Sequence, residues 1–170
     1  GPTLADEPVD AAEFEGRLVD VIRRIEEKLA SHNRTAIDFT SGTTERRQEL
    51  YPIVALQQLF RNAVMHRTYE HTNTPIRITW YTDRIEIISP GGPVGMVTHE
   101  NFGTPGFTDY RNPNLAGFLR EMGFAQRFGV GIATAQRECQ RNGNAPPEFD
   151  VQDAFIRVTL RPVRTEGNAP

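Results

Sequence analysis

The sequence predicts an α/β protein of two layers, a mixed but mostly antiparallel sheet covered on one face by helices. Two long stretches, 10–31 and 52–69, repeat apolar residues at intervals of three and four, the period of a helix with one buried face. Two others, 75–88 and 154–160, alternate apolar with polar residues, as strands with one covered face do. The repeated β-α-β units that a doubly wound sheet requires are missing from the pattern.

Residues 1–9 are polar and are expected to lie loose. In the first helical stretch Phe14, Leu18, Val21, Ile22, Ile25 and Leu29 form the apolar stripe, with Asp10 as the expected cap and Glu13 completing a capping box. Residues 34–40 alternate weakly around Ile37 and Phe39 and are expected as a strand. Ser41-Gly42-Thr43-Thr44 reads as a turn, and 45–50 as a short strand or an extended lead.

Pro52 suits the first turn of the next helix, where its missing amide proton is not needed. Ile53, Leu56, Phe60 and Ala63, flanked by Leu59 and Val64, give that helix a broad apolar stripe. Beside it Gln58, Asn62 and His66, spaced by four, stack along one side. Such a line can floor a ligand pocket, and it is equally the spacing of ordinary solvent-facing residues.

Ile76, Ile78 and Trp80 alternate with Arg77, Thr79 and Tyr81; Thr82-Asp83 turns the chain; Ile85 and Ile87 alternate with Arg84 and Glu86. The pair predicts an antiparallel hairpin. Ser89-Pro90-Gly91-Gly92-Pro93-Val94-Gly95 then stops the strand. From there to Asn112 no period holds, and a connection of that length commonly serves as a lid or binding loop. Asn112-Pro113 predicts a capped helix with Leu115, Ala116, Leu119 and Met122 inward and Gly123 at its end. A second helix is expected from Gly129-Val130-Gly131-Ile132 to about Arg141, then a strand over 154–160. Residues 163–170 are expected as a tail.

At 170 residues the chain is long enough for one domain, expected over 10–162. Its initial Gly1-Pro2 resembles the remnant of a cleaved tag, which suggests a fragment of a longer protein. No apolar run reaches the roughly 20 residues of a membrane span, and no signal peptide is evident, so a cytoplasmic location without membrane contact is expected. Cys139 is the only cysteine, which excludes an intrachain disulfide and a four-thiolate metal site. The surrounding residues suggest a packed thiol. His32, His66, His71 and His99 form no tight ligand pair. A net charge of −3 gives no general attraction to nucleic acid, and no direct nucleic-acid binding is expected. Of the 19 basic residues only Lys28 is lysine, a bias that also arises from genomic composition.

Together, Tyr51-Pro52, Asn62-Ala63-Val64-Met65-His66-Arg67-Thr68-Tyr69, Asp83-Arg84-Ile85-Glu86-Ile87-Ile88-Ser89-Pro90-Gly91-Gly92, Arg111-Asn112-Pro113 and Gly129-Val130-Gly131-Ile132 resemble a GHKL-type (Bergerat-fold) ATP-binding domain. This is the superfamily of DNA gyrase, histidine kinases, mismatch-repair ATPases and a heat-shock chaperone. More narrowly, the motifs resemble a branch in prokaryotic proteins labelled transcriptional regulators or RecG-like helicases, where the domain follows a Schlafen-like module. The resemblance covers about residues 14–162.

The resemblance implies that Asn62 binds magnesium through its side-chain oxygen, with ATP phosphates completing the coordination. It places His66 one turn further on, near the phosphates. The glutamate that ordinarily activates water falls at Gln58, a carboxamide that orients water but takes no proton. The aspartate that ordinarily accepts the adenine amino group falls at Ser89, with Gly91 beside it. Gly129, Gly131 and Ile132 match a second glycine box, where main-chain amides meet phosphate. Arg127 is a candidate further phosphate contact, and Arg111 sits at the hinge of a lid over 94–110. The reading is a nucleotide-binding regulatory or conformational module using ATP and magnesium, with slow hydrolysis or none. The alternative is a scaffold of the same fold that binds no nucleotide and serves homodimerisation or protein contact.

Overall fold

The computed structural model describes residues 7–40, 48–70, 72–124 and 130–164, and of 34–40 the backbone alone. Its elements are α1 (Leu18–Thr40), α2 (Ile53–His66), β1 (Arg77–Trp80), β2 (Ile85–Pro90), α3 (Pro113–Glu121), α4 (Gly131–Asn142), β3 (Glu148–Val151) and β4 (Phe155–Leu160). The strands form one sheet in the order β1-β2-β4-β3. The pairings among the described residues are antiparallel, and helices cover one face. The architecture is the two-layer α/β sandwich.

Alternation decides which face is covered. In the register Ile85 lies opposite Leu160 and Ile87 opposite Val158, and all four side chains are buried beneath the helices. Polar residues occupy the other face, where Arg84 meets Glu86 at 2.8 Å and Arg157 meets Asp150 at 2.7 Å. The expected hairpin closes at Thr82-Asp83, where the Tyr81 amide donates to the Arg84 carbonyl at 2.8 Å. Strand β3 has no counterpart in the sequence reading, because its four residues are too few to show a period beside Pro146-Pro147.

Helix α2 is the central piece. It packs against α1, α4 and β2, burying Leu56, Leu59, Phe60 and Ala63. Its entry is fastened by carboxamides. Asn33 of α1 is buried and makes two bonds to Tyr51, donating to its carbonyl at 2.7 Å and accepting from its amide at 3.1 Å. Asn144 donates to the carbonyls of Leu50 and Arg161, both at 3.0 Å, so the end of α4, the start of α2 and the exit of β4 share one knot.

Helix α3 is capped as expected, with Asn112 Oδ1 accepting from the Leu115 amide at 3.0 Å and Gly123 following at φ +81°. Helix α4 ends at Gly143, whose φ of +87° is the left-handed conformation glycine adopts without strain. Cys139 is buried, as expected of a packed thiol, and burial pushes its pKa up to about 11.

The N-terminal third departs from expectation. Helix α1 begins at Leu18, and Asp10 caps nothing: it takes Lys28 Nζ at 2.6 Å and His32 Nε2 at 2.9 Å. The Lys28 hydrogen bond, with those from Ala11 and His32, lowers its pKa to about 2. Residues 34–40 continue α1 instead of forming a strand, since extending a running helix adds a hydrogen bond per residue whereas a weak strand needs a partner. The expected turn at 41–44 and the first residues of the 45–50 stretch lie outside the described residues. Among the described residues no helix is long and apolar enough to cross a membrane.

Removing the Asn33 side chain leaves the buried amide and carbonyl of Tyr51 unpaired. Asn33→Ala is therefore expected to lower unfolding free energy by about 2–3 kcal/mol, read as a shift in urea midpoint; a shift no larger than that of an exposed α1 substitution would contradict the assignment.

Candidate functional site

The apolar stripe of α2 is consumed by its neighbours, so the polar line beside it faces elsewhere. Gln58, Asn62 and His66 all line one cavity of about 370 Å3. Its other walls are the loop 92–110 and the beginning of α4. Among the described residues these three side chains make no hydrogen bond, so their polar atoms are available to a ligand.

Gly131 and Ile132, where the sequence anticipated main-chain contacts to phosphate, line the same cavity. Gly131 brings α4 close to α2: a Cβ added there would come within 3.3 Å of Gln58 Oε1. Val130 at the N-cap supplies no side-chain cap, and the first turn holds no acidic residue. The first amides of a helix lack intrahelical acceptors and stand at the positive end of its dipole. A helix start of this kind beside unpartnered carboxamides suits an anion.

Other candidates stand apart. Ser89 is buried within β2 opposite Ile156 and does not line the cavity. Gly91, at φ +94°, packs on Thr68 behind the wall, and Gly92 reaches the cavity in its place. A side chain on Gly92 would strike the carbonyls of Gln152 at 2.5 Å and Asp153 at 2.8 Å, so only glycine lets the loop leave the sheet there. Arg111 lies outside the lining, and its Nη2 donates to the Gly92 carbonyl at 3.0 Å, tying the two ends of the loop together. Arg127 and Gly129 lie outside the described residues.

The loop is folded down on the site. Phe102 contacts Phe149 of β3 with ring centroids 5.3 Å apart, His99 meets Asp153 at 2.9 Å, and Gly103 rests on Ile132. At its far end Tyr110 stacks on His66, 5.1 Å between centroids and 18° between planes. Burial lowers the His66 pKa to about 4, so the ring is neutral near pH 7. Arg61, next to Asn62, is committed to structure: its guanidinium grips both Glu26 oxygens, at 2.6 and 3.0 Å, and donates to the Phe124 carbonyl at 3.2 Å. The sequence flagged the loop by its lack of period, but nothing local distinguishes Asp109 and Tyr110 as the residues it brings inward.

Residues 73–160 match the family HATPase_c_4, described as "Putative ATP-dependent DNA helicase recG C-terminal". The matched range runs from β1 through β4 and begins after α2, so the polar line of that helix lies outside it. No curated protein matches the chain. The crystal structure of the DIP2311 protein from Corynebacterium diphtheriae is similar, with a TM-score of 0.70 and 24% identity. The similarity covers 86% of this chain and 28% of that one, and it shows the fold.

The state of His66 has a measurable consequence. The unfolded chain takes up the imidazole proton near the ordinary 6.5 and the folded chain only near 4, so between these values the unfolded state holds more protons. This contribution to stability is fully present above about pH 6.5 and is lost as pH falls towards about 4, amounting to up to ~3 kcal/mol. Urea unfolding across that window should show the loss, and His66→Gln should remove that part of the slope; an unchanged slope would sink the assignment.

Proposed function

The chain belongs to the HATPase_c_4 family, a HATPase_c-like group of the GHKL superfamily, and from that premise we propose that it is an ATP-binding regulatory or conformational module with weak or absent hydrolysis. The observation that carries this reading is the convergence of Gln58, Asn62, His66 and the uncapped start of α4 on one cavity under a folded-down loop. Polar side chains without partners, set against helix amides, suit a polyanion better than an apolar ligand. The larger cavity, about 990 Å3 between α1 and the outer edge of β1, is walled mainly by apolar side chains and includes none of the candidate residues.

Magnesium fits as a companion of the nucleotide rather than as a resident ion. Among the described residues no group of three or more His, Cys, Asp or Glu side chains can hold a metal. Asn62 offers one hard oxygen, which suits an ion that takes few protein ligands and completes its shell with water and phosphate. When bound, such an ion neutralises charge on the phosphate oxygens. The chain's own contribution is orientation: Asn62 from one wall and the amides of Gly131 and Ile132 from the other hold the phosphates between α2 and α4.

Gln58 is the reason turnover is weak in this reading. It lies one helical turn before Asn62, lines the cavity and can align a water molecule, but a carboxamide does not take up the proton that water loses on attack. The narrower placement, in the branch of transcriptional regulators and RecG-like helicase-labelled proteins with a Schlafen-like module, is part of the same proposal; the family's description shares the RecG label with it and does not mention transcriptional regulation. The alternative, a nucleotide-free scaffold for homodimerisation or protein contact, draws on Ser89, whose burial away from the cavity removes the expected base contact.

Calorimetric titration with ATP and ADP, with and without magnesium, decides between them. Magnesium-dependent binding is expected, weakened roughly tenfold or more by Asn62→Ala, the range typical of lost metal contacts. No heat at millimolar nucleotide would favour the scaffold. In a phosphate-release assay the wild type is expected near background and Gln58→Glu above it; brisk wild-type turnover would contradict the role given to Gln58.

A further inference from the structure

The cavity in which the nucleotide reading places the phosphates is short of positive charge. Among its described lining residues Arg61 is committed to Glu26 and the Phe124 carbonyl, and burial keeps His66 neutral near pH 7. The remaining cation of that lining is Arg137 of α4. Among the described residues it pairs with no carboxylate, and its polar contact is a weak one, Nη2 to Thr134 Oγ1 at 3.5 Å. We propose that Arg137 grips the terminal phosphate of a bound nucleoside triphosphate, so that the site distinguishes a triphosphate from a diphosphate.

The course of α4 supports this role. Gly131 packs beside Gln58, while Asn142 at the other end of α4 donates to the Glu49 carbonyl, ahead of α2, at 2.7 Å. The two helices therefore run antiparallel, and α4 leads from Gln58 back towards the start of α2, away from Asn62. Val54, in the first turn of α2, lines the cavity as Arg137 does. In the nucleotide reading Gln58 aligns the attacking water, so the terminal phosphate lies on the Gln58 side of Asn62, the side towards which Arg137 extends the cavity. Long side chains on a helix lean towards its N-terminus. The approach to Thr134, itself a lining residue, shows that the Arg137 guanidinium does so.

Arginine suits the task. Its planar guanidinium presents parallel N–H donors to two oxygens of one phosphate and stays charged at any working pH. The Thr134 hydroxyl beside it can donate to a further oxygen. A diphosphate held by the same α4 amides ends short of both groups. Arg141, one turn further along α4, is a natural contrast: it pairs with Glu138 at 3.1 Å and does not line the cavity. Both arginines are exposed, so replacing either leaves the packed side of α4, Ala135 and Cys139, untouched.

This inference rests on the nucleotide reading, and the test separates the two. Affinities for ATP and ADP with magnesium are measured by calorimetry for the wild type, Arg137→Gln, Arg137→Lys and Arg141→Gln. Arg137→Gln is expected to weaken ATP roughly tenfold, the size of a lost charge-assisted contact, and ADP by less than about twofold. Arg137→Lys, which keeps the charge but not the fork, should recover part of the lost preference for ATP. Arg141→Gln removes the same charge from the same helix and should leave that preference unchanged. Equal weakening of ATP and ADP by Arg137→Gln, no weakening of either, or an equal fall in preference with Arg141→Gln overturns the inference while leaving nucleotide binding intact. Failure of both nucleotides to bind the wild type removes the nucleotide reading itself, and this inference with it.

Discussion

The packing of α2 is the constraint on which the rest depends. Its apolar positions are taken up by α1, α4 and β2, and the chain entering it is pinned by Asn33 and Asn144. A rotation of one residue about its axis would carry Gln58, Asn62 and His66 by roughly 100° towards these neighbours, where unpaired polar groups are costly to bury. Hydrophobic burial thereby sets the direction of side chains that take no part in the core.

The opposite wall follows different physics. The loop 92–110 has no hydrogen-bond ladder of its own and is shaped by close backbone approaches and isolated side-chain ties. Gly92 passes against the carbonyls of Gln152 and Asp153, Arg111 closes the two ends, and Asp109 occupies the space above Gly95. Phe102 and Gly103 then rest on β3 and α4. These contacts are few and partly exposed, the kind of element that opens at low free-energy cost relative to the core beneath it.

The chemistry of the two walls is complementary. Helix α2 offers neutral hydrogen-bonding groups, including an imidazole kept uncharged by burial, and α4 offers the positive end of its dipole. Arg61 lies beside Asn62, yet its charge is spent on Glu26 and the Phe124 carbonyl, where it braces α1 and the end of α3 against α2. In the nucleotide reading proposed above, such a site holds an anion by orientation, and Gln58 gives it little means of taking a proton from water.

Local pattern by itself determined the two-layer class, the β1-β2 hairpin, the existence of α2 and the caps at Asn112 and Gly123, because each rests on interactions within a few residues or on a covered face repeated along one segment. It also isolated the line Gln58, Asn62 and His66, which needs only helical spacing. Tertiary structure decided the rest. Residues 34–40 joined α1, a local contest that alternation could not settle, and β3 appeared only through its pairing with β4. Ser89 turned into the covered face of the sheet, whereas Tyr110 was carried to α2 by a loop with no period of its own. Local pattern reports which face of an element is buried; which loop residue crosses a cavity depends on contacts between segments distant in sequence, and those exist only once the chain has folded.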